Sequence, residues 1–190
     1  MSAARHFRRG ERMRKSPEYI FEGRQAKFRD SGKPVKPKIK AEFLYEWIPV
    51  KADKDKDYFY PQEITHYMKR EYRKPHVYRW NIYQRTYEDA KIIYIGETKE
   101  LCPNRIKGFI NPGPSQTTNA RLKKKFEGYL ECKYQIILEI CNFSKMMLGK
   151  REITADELKR SNIRKLIEAM LIENYRIKGF KILNSGFESM

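Results

Sequence analysis

The chain has 190 residues, and its 40% hydrophobic content, with 13 Tyr, 10 Phe and two Trp, suits one domain with an extension rather than two large domains. The formal net charge of +17 is not needed for folding and indicates a polyanionic partner, for which nucleic acid is the first candidate. A basic nucleic-acid-binding protein with no catalytic activity would have the same charge. The cysteines and histidines lack disulfide or metal-site spacing, and no segment resembles a signal peptide or membrane span, so we expect a cytoplasmic protein.

The first part of the chain is the most basic. Residues 1–40 carry 13 Lys and Arg against four Asp and Glu, which predicts a basic, loosely ordered arm that either contacts phosphates or is simply solvated. Residues 41–74 are interpreted as an extension that packs on the core or on DNA. Within it, residues 41–50 predict a strand or short helix, residues 51–57 a solvated loop, and residues 61–73 a helix.

The pattern is sharper from residue 75, where we place the main domain, residues 75–190. Residues 76–83 are rich in β-forming side chains, and residues 90–96 are a short apolar run that ends at a glycine. The short polar connection between them predicts an antiparallel hairpin. Residues 134–143 predict a third strand, and residues 180–183 a final extended piece.

Several segments have the apolar spacing or the capping residues of helices. Residues 100–110 and 121–130 have apolar side chains at helical spacing, the second with Thr118 as its predicted cap. Thr154 and Glu157 match a capping box, and a helix from Ser161 to about residue 178 carries an apolar stripe. The order of elements predicts an α+β domain in which helices flank a small, mostly antiparallel, three-stranded sheet.

Four segments together have the sparse signature expected of a phosphodiester-cleaving enzyme. Such hydrolysis needs a water nucleophile, a group that takes its proton, and positive charge on the phosphate in the transition state. A Mg²⁺ site often uses only one or two carboxylates, because the ion keeps several waters and takes phosphate oxygens as ligands. The segments are Val77-Tyr78, Tyr94-Ile95-Gly96, residues 104–112, and residues 168–172 followed by Asn184.

These segments resemble the GIY-YIG nuclease superfamily over about residues 75–185. Tyr94-Ile95-Gly96 is the intact YIG element, and Val77-Tyr78 matches the end of the GIY element. Residues 104–112 resemble the family's N-R-ϕ-[KR]-x-[YH]-ϕ-N-P pattern, and residues 168–172 resemble its E-A-x-L-I helix. The resemblance implies an endonuclease that uses Mg²⁺ or Mn²⁺ on double-stranded DNA, closest in character to type II restriction enzymes.

The resemblance also implies a role for each matching side chain. Tyr78 would accept or relay the proton of the attacking water, and Tyr94 would line the same pocket. Arg105 would stabilise the scissile phosphate and, with the metal ion, lower the pKa of the phenols. Glu168 would be the single metal-binding carboxylate, and Asn184 would close the site.

The position of Glu168 supports its assignment without the resemblance. It lies within an apolar stripe of its predicted helix, where a carboxylate is costly unless it is paired or bound to a metal ion. The rival carboxylate, Glu173, is expected to be exposed.

Three positions depart from the family pattern. His76 stands at the GIY glycine, Phe109 stands where many relatives have Tyr or His, and Glu97 follows YIG where some members have Lys. The missing positive charge would come from one of three lysines, among which the sequence does not choose: Lys91, Lys99 and Lys107.

A polar loop followed by a basic helix is the predicted DNA-recognition segment. Amide side chains can contact adenine edges, while hydroxyl and basic side chains can hold phosphates. A plain loop with a solvated helix face is the alternative. The candidate DNA-binding residues are Ser115, Gln116, Thr117, Asn119, Arg121, Lys123 and Lys124.

Three functions remain open from the sequence. A restriction-type endonuclease fits the compact chain, the basic arm and the polar loop. A structure-specific repair or recombination nuclease would use the same site on branched or damaged DNA. Phe109 and the missing glycine at position 76 favour a basic DNA-binding protein that has lost the chemistry. If the enzyme cuts both DNA strands, we expect it to bind DNA as a homodimer, although the sequence does not indicate a dimer interface.

Overall fold

The computed structural model describes residues 19–22 and 38–185, so most of the predicted basic arm, residues 1–40, lies outside the described residues. The strands are β1 (Tyr19–Glu22), β2 (Lys38–Phe43), β3 (Glu46–Pro49), β4 (Lys51–Asp53), β5 (Lys56–Asp57), β6 (His76–Tyr83), β7 (Ile92–Thr98), β8 (Gln135–Asn142), β9 (Lys145–Leu148), β10 (Arg151–Thr154) and β11 (Lys181–Ile182). The helices are α1 (His66–Glu71), α2 (Ile106–Ile110), α3 (Thr117–Glu131) and α4 (Ser161–Ile177), with short helical turns at Tyr87–Asp89, Leu101–Arg105 and Ala155–Lys159.

The chain divides into two compact units. The first contains the described residues before Tyr45 together with Lys145–Ile153, and its sheet has the strand order β1-β2-β9-β10. Gly149 lies between β9 and β10 with a φ of 63°, a left-handed conformation that suits a glycine. The sequence did not predict this hairpin.

The second unit contains Tyr45–Ser144 and residues from Thr154 onward, and it is built on a five-stranded sheet in the order β11-β7-β6-β8-β3. The pairs of β6 with β7 and β8, and of β8 with β3, are antiparallel, whereas β11 is parallel to β7. The predicted α+β class is therefore confirmed, but the prediction of a three-stranded sheet is wrong. The two added strands, β3 and β11, are short and lack a long apolar run.

The central strands match their predictions closely. The first predicted strand is observed with the same bounds as β6, the predicted hairpin is formed by β6 and β7, and β8 lies within residues 134–143. The predicted loop at residues 51–57 is instead the β4–β5 hairpin, in which Lys51 Nζ lies 2.6 Å from Asp57 Oδ1.

The helices are present, but their predicted starts are less accurate. Thr65 caps α1, since its hydroxyl accepts a hydrogen bond from Met68 N, so this helix begins after the predicted position. Thr118 lies inside α3 rather than at its cap, so that prediction is wrong. Thr154 does occupy the N-cap position of the turn Ala155–Lys159, but its side chain makes no capping hydrogen bond. None of the helices in the described part of the chain has the length and apolar character to cross a membrane.

The two faces of the five-stranded sheet carry different cores. Because side chains alternate along a strand, Tyr78 and Trp80 project to one face, where they meet Phe109 of α2 and Phe126 of α3. The intervening Arg79 projects to the opposite face. The candidate site uses the aromatic face.

The opposite face contains a buried ion pair between neighbouring strands. Arg79 of β6 and Glu139 of β8 are directly opposite each other, and Arg79 Nε donates to Glu139 Oε2 at 2.6 Å. The other two guanidinium nitrogens donate to Tyr175 of α4 at 2.7 Å and to Tyr87 at 2.8 Å, and Tyr87 also donates to Glu139. Removing one partner of such a buried pair costs about 3–5 kcal/mol, because it leaves a buried charge without its partner. The hydrogen bond from Arg79 to Tyr175 joins α4 to this pair.

We predict that His76 makes the stability of the protein sensitive to acid. His76 is 5% exposed, and none of the described residues forms a hydrogen bond with its Nε2. Burial, with a smaller effect of the Lys74 charge, lowers the pKa of His76 from 6.5 to about 4. Between about pH 6.5 and about pH 4, His76 is protonated in the unfolded chain but neutral in the folded chain. The free energy of unfolding therefore falls by up to about 3 kcal/mol as the pH drops through this range.

His76→Leu is the variant that tests this prediction. An apolar side chain of similar size removes the buried, unpartnered nitrogen, so we expect unchanged or higher stability at pH 7 and a weaker loss between pH 6.5 and pH 4. Urea unfolding across this pH range measures both effects. Parallel pH profiles for the variant and the wild type would contradict the prediction.

Candidate active site

Two tyrosines from adjacent strands form the base of the candidate site. In the β6–β7 hairpin, Tyr78 lies opposite Gly96, and Trp80 lies opposite Tyr94. The strand alternation then directs both tyrosines to the aromatic face, with their ring centroids 6.4 Å apart. The structure therefore brings together the two phenols that the sequence selected.

Gly96 makes the position of Tyr78 possible. A Cβ atom added at residue 96 would lie 2.5 Å from Tyr78 Oη and 2.7 Å from Tyr78 Cζ, closer than packed atoms can approach. The glycine of the YIG element is therefore required for space, because the phenol ring lies over its backbone.

Arg105 links the two phenols. Its Nε donates to Tyr78 Oη at 2.6 Å and its Nη2 to Tyr94 Oη at 3.4 Å. Arg105 ends the turn that precedes α2, and this segment is held by buried apolar side chains, including Leu101 and Ile106. The same packing that forms the core therefore sets the direction of the guanidinium.

Phe109 supports the guanidinium instead of supplying a hydroxyl. The Arg105 Cζ lies 5.0 Å from the Phe109 ring centroid, within the range of a cation–π contact. The buried Phe109 ring also packs edge-on against Tyr78 and Tyr94. The departure from the family pattern at this position thus has a clear packing role.

Both phenols are protonated at neutral pH. Burial raises the pKa of Tyr78 well above 10, and the positive charge of Arg105 opposes this effect without cancelling it. Burial also raises the pKa of Tyr94, again against the effect of Arg105. Arg105 acts in the expected direction, but burial has the larger effect, so the net shift of each phenol pKa is upward.

Glu168 reaches this site from a helix that contacts the other face of the sheet. Tyr175 of α4 is bound to Arg79 on that face, and Glu168 lies seven residues earlier on the same helix, so it also faces the sheet. The charge of Glu168 nevertheless acts on Tyr78 and Tyr94. This charge raises the pKa of both phenols.

The pKa of the Glu168 carboxyl is raised. Burial and the nearby Glu97 charge raise its pKa from 4.5 to about 7, against the opposing effects of Arg105 and Lys165. A half-buried acid with a second acid close by is stabilised by a bound cation or by protonation. Its rival Glu173 is instead paired with Arg176 at 2.6 Å, and this ion pair lowers the pKa of Glu173.

Arg164 is the residue of this region that sequence reasoning missed. Its Nε lies 2.5 Å from Glu97 Oε2, and its Nη1 donates to the carbonyl oxygens of Leu158 at 2.7 Å and Lys159 at 3.1 Å. A positive charge from α4 thus stands beside Glu97, the residue that follows Gly96. The role expected of Lys91, Lys99 or Lys107 stays a prediction. The available signal was an arginine one helical turn before Glu168 and directly after Ile163 of the apolar stripe.

Asn184 holds the edge strand in place. Its Nδ2 donates to Ile95 O at 2.7 Å, and its Oδ1 accepts from Ile95 N at 3.1 Å. The side chain therefore continues the pairing of β11 along β7, beside Gly96. It closes the edge of the site as a positioning residue, with both hydrogen bonds made to backbone.

Two residues of the predicted recognition loop are engaged in internal contacts. Asn119 is 5% exposed, and its Nδ2 donates to Gln116 Oε1 at 3.2 Å, close to Gly108 of α2. Gln116 Oε1 also accepts from Gly113 N at 3.3 Å. These contacts hold the loop against α2, so Asn119 is not available to a base edge in this conformation.

The remaining DNA-binding candidates lie at the surface or at its margin. Arg121 donates to Leu183 O at 3.1 Å, and Lys123 lies 3.8 Å from Glu127. The side chains of six others are exposed: Lys91, Lys99, Lys107, Ser115, Thr117 and Lys124.

We predict that Gly96→Ala destabilises the protein by about 1–3 kcal/mol, because the new methyl group would displace the buried Tyr78 ring. Gly128→Ala is the matched control. No atom lies within 4 Å of a Cβ added to Gly128 inside α3, so this variant should gain up to about 1 kcal/mol from helix propensity. Urea unfolding measures both, and a Gly96→Ala protein as stable as the wild type would refute the packing argument.

No family model matches the chain, and no curated protein or solved structure matches it. The likeness to the GIY-YIG nucleases therefore depends on the sequence motifs alone.

Proposed function

We propose that the chain is a metal-dependent endonuclease that hydrolyses phosphodiester bonds in double-stranded DNA. The observation that carries the proposal is the hydrogen-bonded set of Arg105, Tyr78 and Tyr94, which lies within reach of the Glu168 charge. A guanidinium, two hydroxyls and one carboxylate are the groups that this hydrolysis needs, and they come from four separate elements. The net charge of +17 supports a polyanionic substrate.

Arg105 is suited to bind the scissile phosphate. Two of its nitrogens are used for the tyrosines, which fix the plane of the guanidinium. The third nitrogen, Nη1, has no hydrogen bond to any residue that the structure describes. A fixed guanidinium with a remaining donor can stabilise the charge that develops on a phosphate oxygen in the transition state.

Glu168 is suited to hold a Mg²⁺ or Mn²⁺ ion. Glu97 is already paired with Arg164, so the charge that a cation would compensate is that of the half-buried Glu168 carboxylate. Among the described residues, no group of three or more His, Cys, Asp or Glu could hold a metal ion, so water and phosphate oxygens would complete the coordination. When bound, such an ion polarises the phosphate and lowers the pKa of a bound water.

The tyrosines are suited to orient the attacking water. Because both phenols are protonated at neutral pH, each can donate one hydrogen bond and accept another. Tyr78 accepts from Arg105 and is also hydrogen-bonded to Tyr94. Because Tyr78 is completely buried, the Tyr94 hydroxyl is the one nearer to solvent, and water positioning suits these protonated phenols better than direct proton removal.

A restriction-type endonuclease, acting as a homodimer on DNA to cut both strands, is the form of the function that we favour. The exposed Ser115, Thr117 and Lys124 lie in the segment expected to contact DNA. A structure-specific repair nuclease would use the same site. The complete burial of Tyr78 favours a further candidate, a DNA-binding protein without catalysis, since a buried hydroxyl needs a rearrangement before it can meet a substrate.

Digestion of a mixed-sequence plasmid with Mg²⁺, followed by mapping of the ends, separates these functions. Recurrent ends at one sequence support the restriction form, whereas preferential cutting of flaps or branches in a panel of linear and branched duplexes supports the repair form. DNA binding without any cutting in either assay would establish the non-catalytic alternative.

We predict that Glu168→Ala lowers the cleavage rate at least about 100-fold, with DNA affinity in EDTA nearly unchanged, because the variant loses the metal-binding carboxylate. Glu173→Ala is the control, since it removes a carboxylate from the same helix that is paired with Arg176. Single-turnover cleavage and fluorescence anisotropy measure the two properties. Equal losses of cleavage in both variants would show that Glu168 has no special role.

We further predict that Arg105→Lys lowers the cleavage rate about 100-fold with little change in DNA affinity. Lysine keeps the charge, but a single ammonium group cannot reproduce the planar contacts to both phenols and a phosphate. Arg160→Lys, at an exposed position paired with Glu157, is the matched control. Full activity of Arg105→Lys would remove the planar guanidinium from the proposed reaction.

A further inference from the structure

A basic cleft lies beyond one end of the central hairpin. Its volume is about 360 Å³, and it lies where β6 begins and β7 ends. Three separate segments form its walls: the residues before β6, the residues after β7, and the short turn before α4. The lining residues are Arg73, Lys74, Pro75, Lys99, Glu100 and Lys159.

The cleft concentrates positive charge. It contains four cationic side chains and one carboxylate, Glu100, which lies 3.3 Å from Arg73. The charge of Lys74 also extends to the buried His76, whose pKa it helps to lower. A concave surface with an excess of one charge focuses its field, and here the field attracts an anion.

The cleft is also held in a set position relative to the candidate site. Lys99 lies three residues after Gly96, which corresponds to about 10 Å along an extended strand. The carbonyl of Lys159 accepts a hydrogen bond from Arg164, which is paired with Glu97 next to Gly96. The two sides of the cleft are thus connected to the residues that flank the YIG glycine.

We propose that this cleft is a phosphate-binding subsite for the backbone of the DNA that the site cuts. This inference rests on the proposed nuclease function. The cationic side chains of the cleft are of the kind that holds phosphate oxygens of the DNA backbone.

The first test measures DNA binding by fluorescence anisotropy in EDTA, which prevents cutting. Lys99→Gln/Lys159→Gln should bind a labelled duplex about tenfold more weakly than wild type, and the slope of log affinity against log salt should fall by about one. Lys54→Gln/Lys56→Gln removes the same charge from exposed positions in the β4–β5 hairpin and should retain the wild-type slope.

The second test places a single uncharged methylphosphonate linkage at successive positions on the cut strand. Wild-type cutting should slow when the linkage lies at the one position, away from the cleaved bond, that the cleft contacts, because the cleft then meets no charge. The Lys99→Gln/Lys159→Gln variant should cut this substrate and the unmodified duplex at the same rate, since its cleft has already lost the contact. An equal slowing of wild type and variant would overturn the subsite.

The outcomes distinguish the subsite from the nuclease function. If wild type binds through the cleft but never cuts, the nuclease function fails and the cleft stands only as a site for the DNA backbone. If wild type cuts and the two double variants have the same salt slope, the subsite fails and the nuclease stands. Titration calorimetry with inorganic phosphate tests whether the cleft binds a free phosphate ion rather than the DNA backbone. If Lys99→Gln/Lys159→Gln loses phosphate binding but binds the duplex as wild type does, the proposal is overturned.

Discussion

The close approach of Tyr78 to Gly96 is the constraint on which the rest of the candidate site depends. Since Gly96 has no side chain, the phenol can lie over the neighbouring strand, where its hydroxyl accepts a hydrogen bond from Arg105. Arg105 also donates to Tyr94, and Phe109 packs beneath all three. Two strands and the turn before α2 are therefore joined in a single arrangement, which the apolar core keeps rigid.

The position of the carboxylate depends on a different contact, on the opposite face of the sheet. The buried pair of Arg79 and Glu139 holds Tyr175 of α4, and Glu168 lies two helical turns earlier on that helix. Arg164, one turn before Glu168, holds the residue that follows the YIG glycine. A buried ion pair of this kind contributes little net stability, but it specifies how the helix lies on the sheet.

Local patterns predicted the central elements well and the edges poorly. The residues of β6 and β8 have β-forming side chains over a full strand length, so their bounds could be predicted from the sequence. The edge strands β3 and β11 have four and two residues, too few for a periodic signal, and they are recognised only by their hydrogen bonds to β8 and β7. Similarly, Asn119 lies in a polar segment with the composition of a recognition loop, yet its side chain is buried against α2.

The sequence by itself determined the α+β class, the central hairpin and the five candidate side chains, because periodicity and motif spacing are properties of short segments. Only the tertiary structure decided that burial outweighs Arg105 and keeps Tyr78 protonated, that Glu168 titrates near neutral pH, and that Arg164 compensates Glu97. Desolvation and charge pairing depend on which surfaces pack together. These surfaces come from residues far apart in the chain, so no local pattern contains that information.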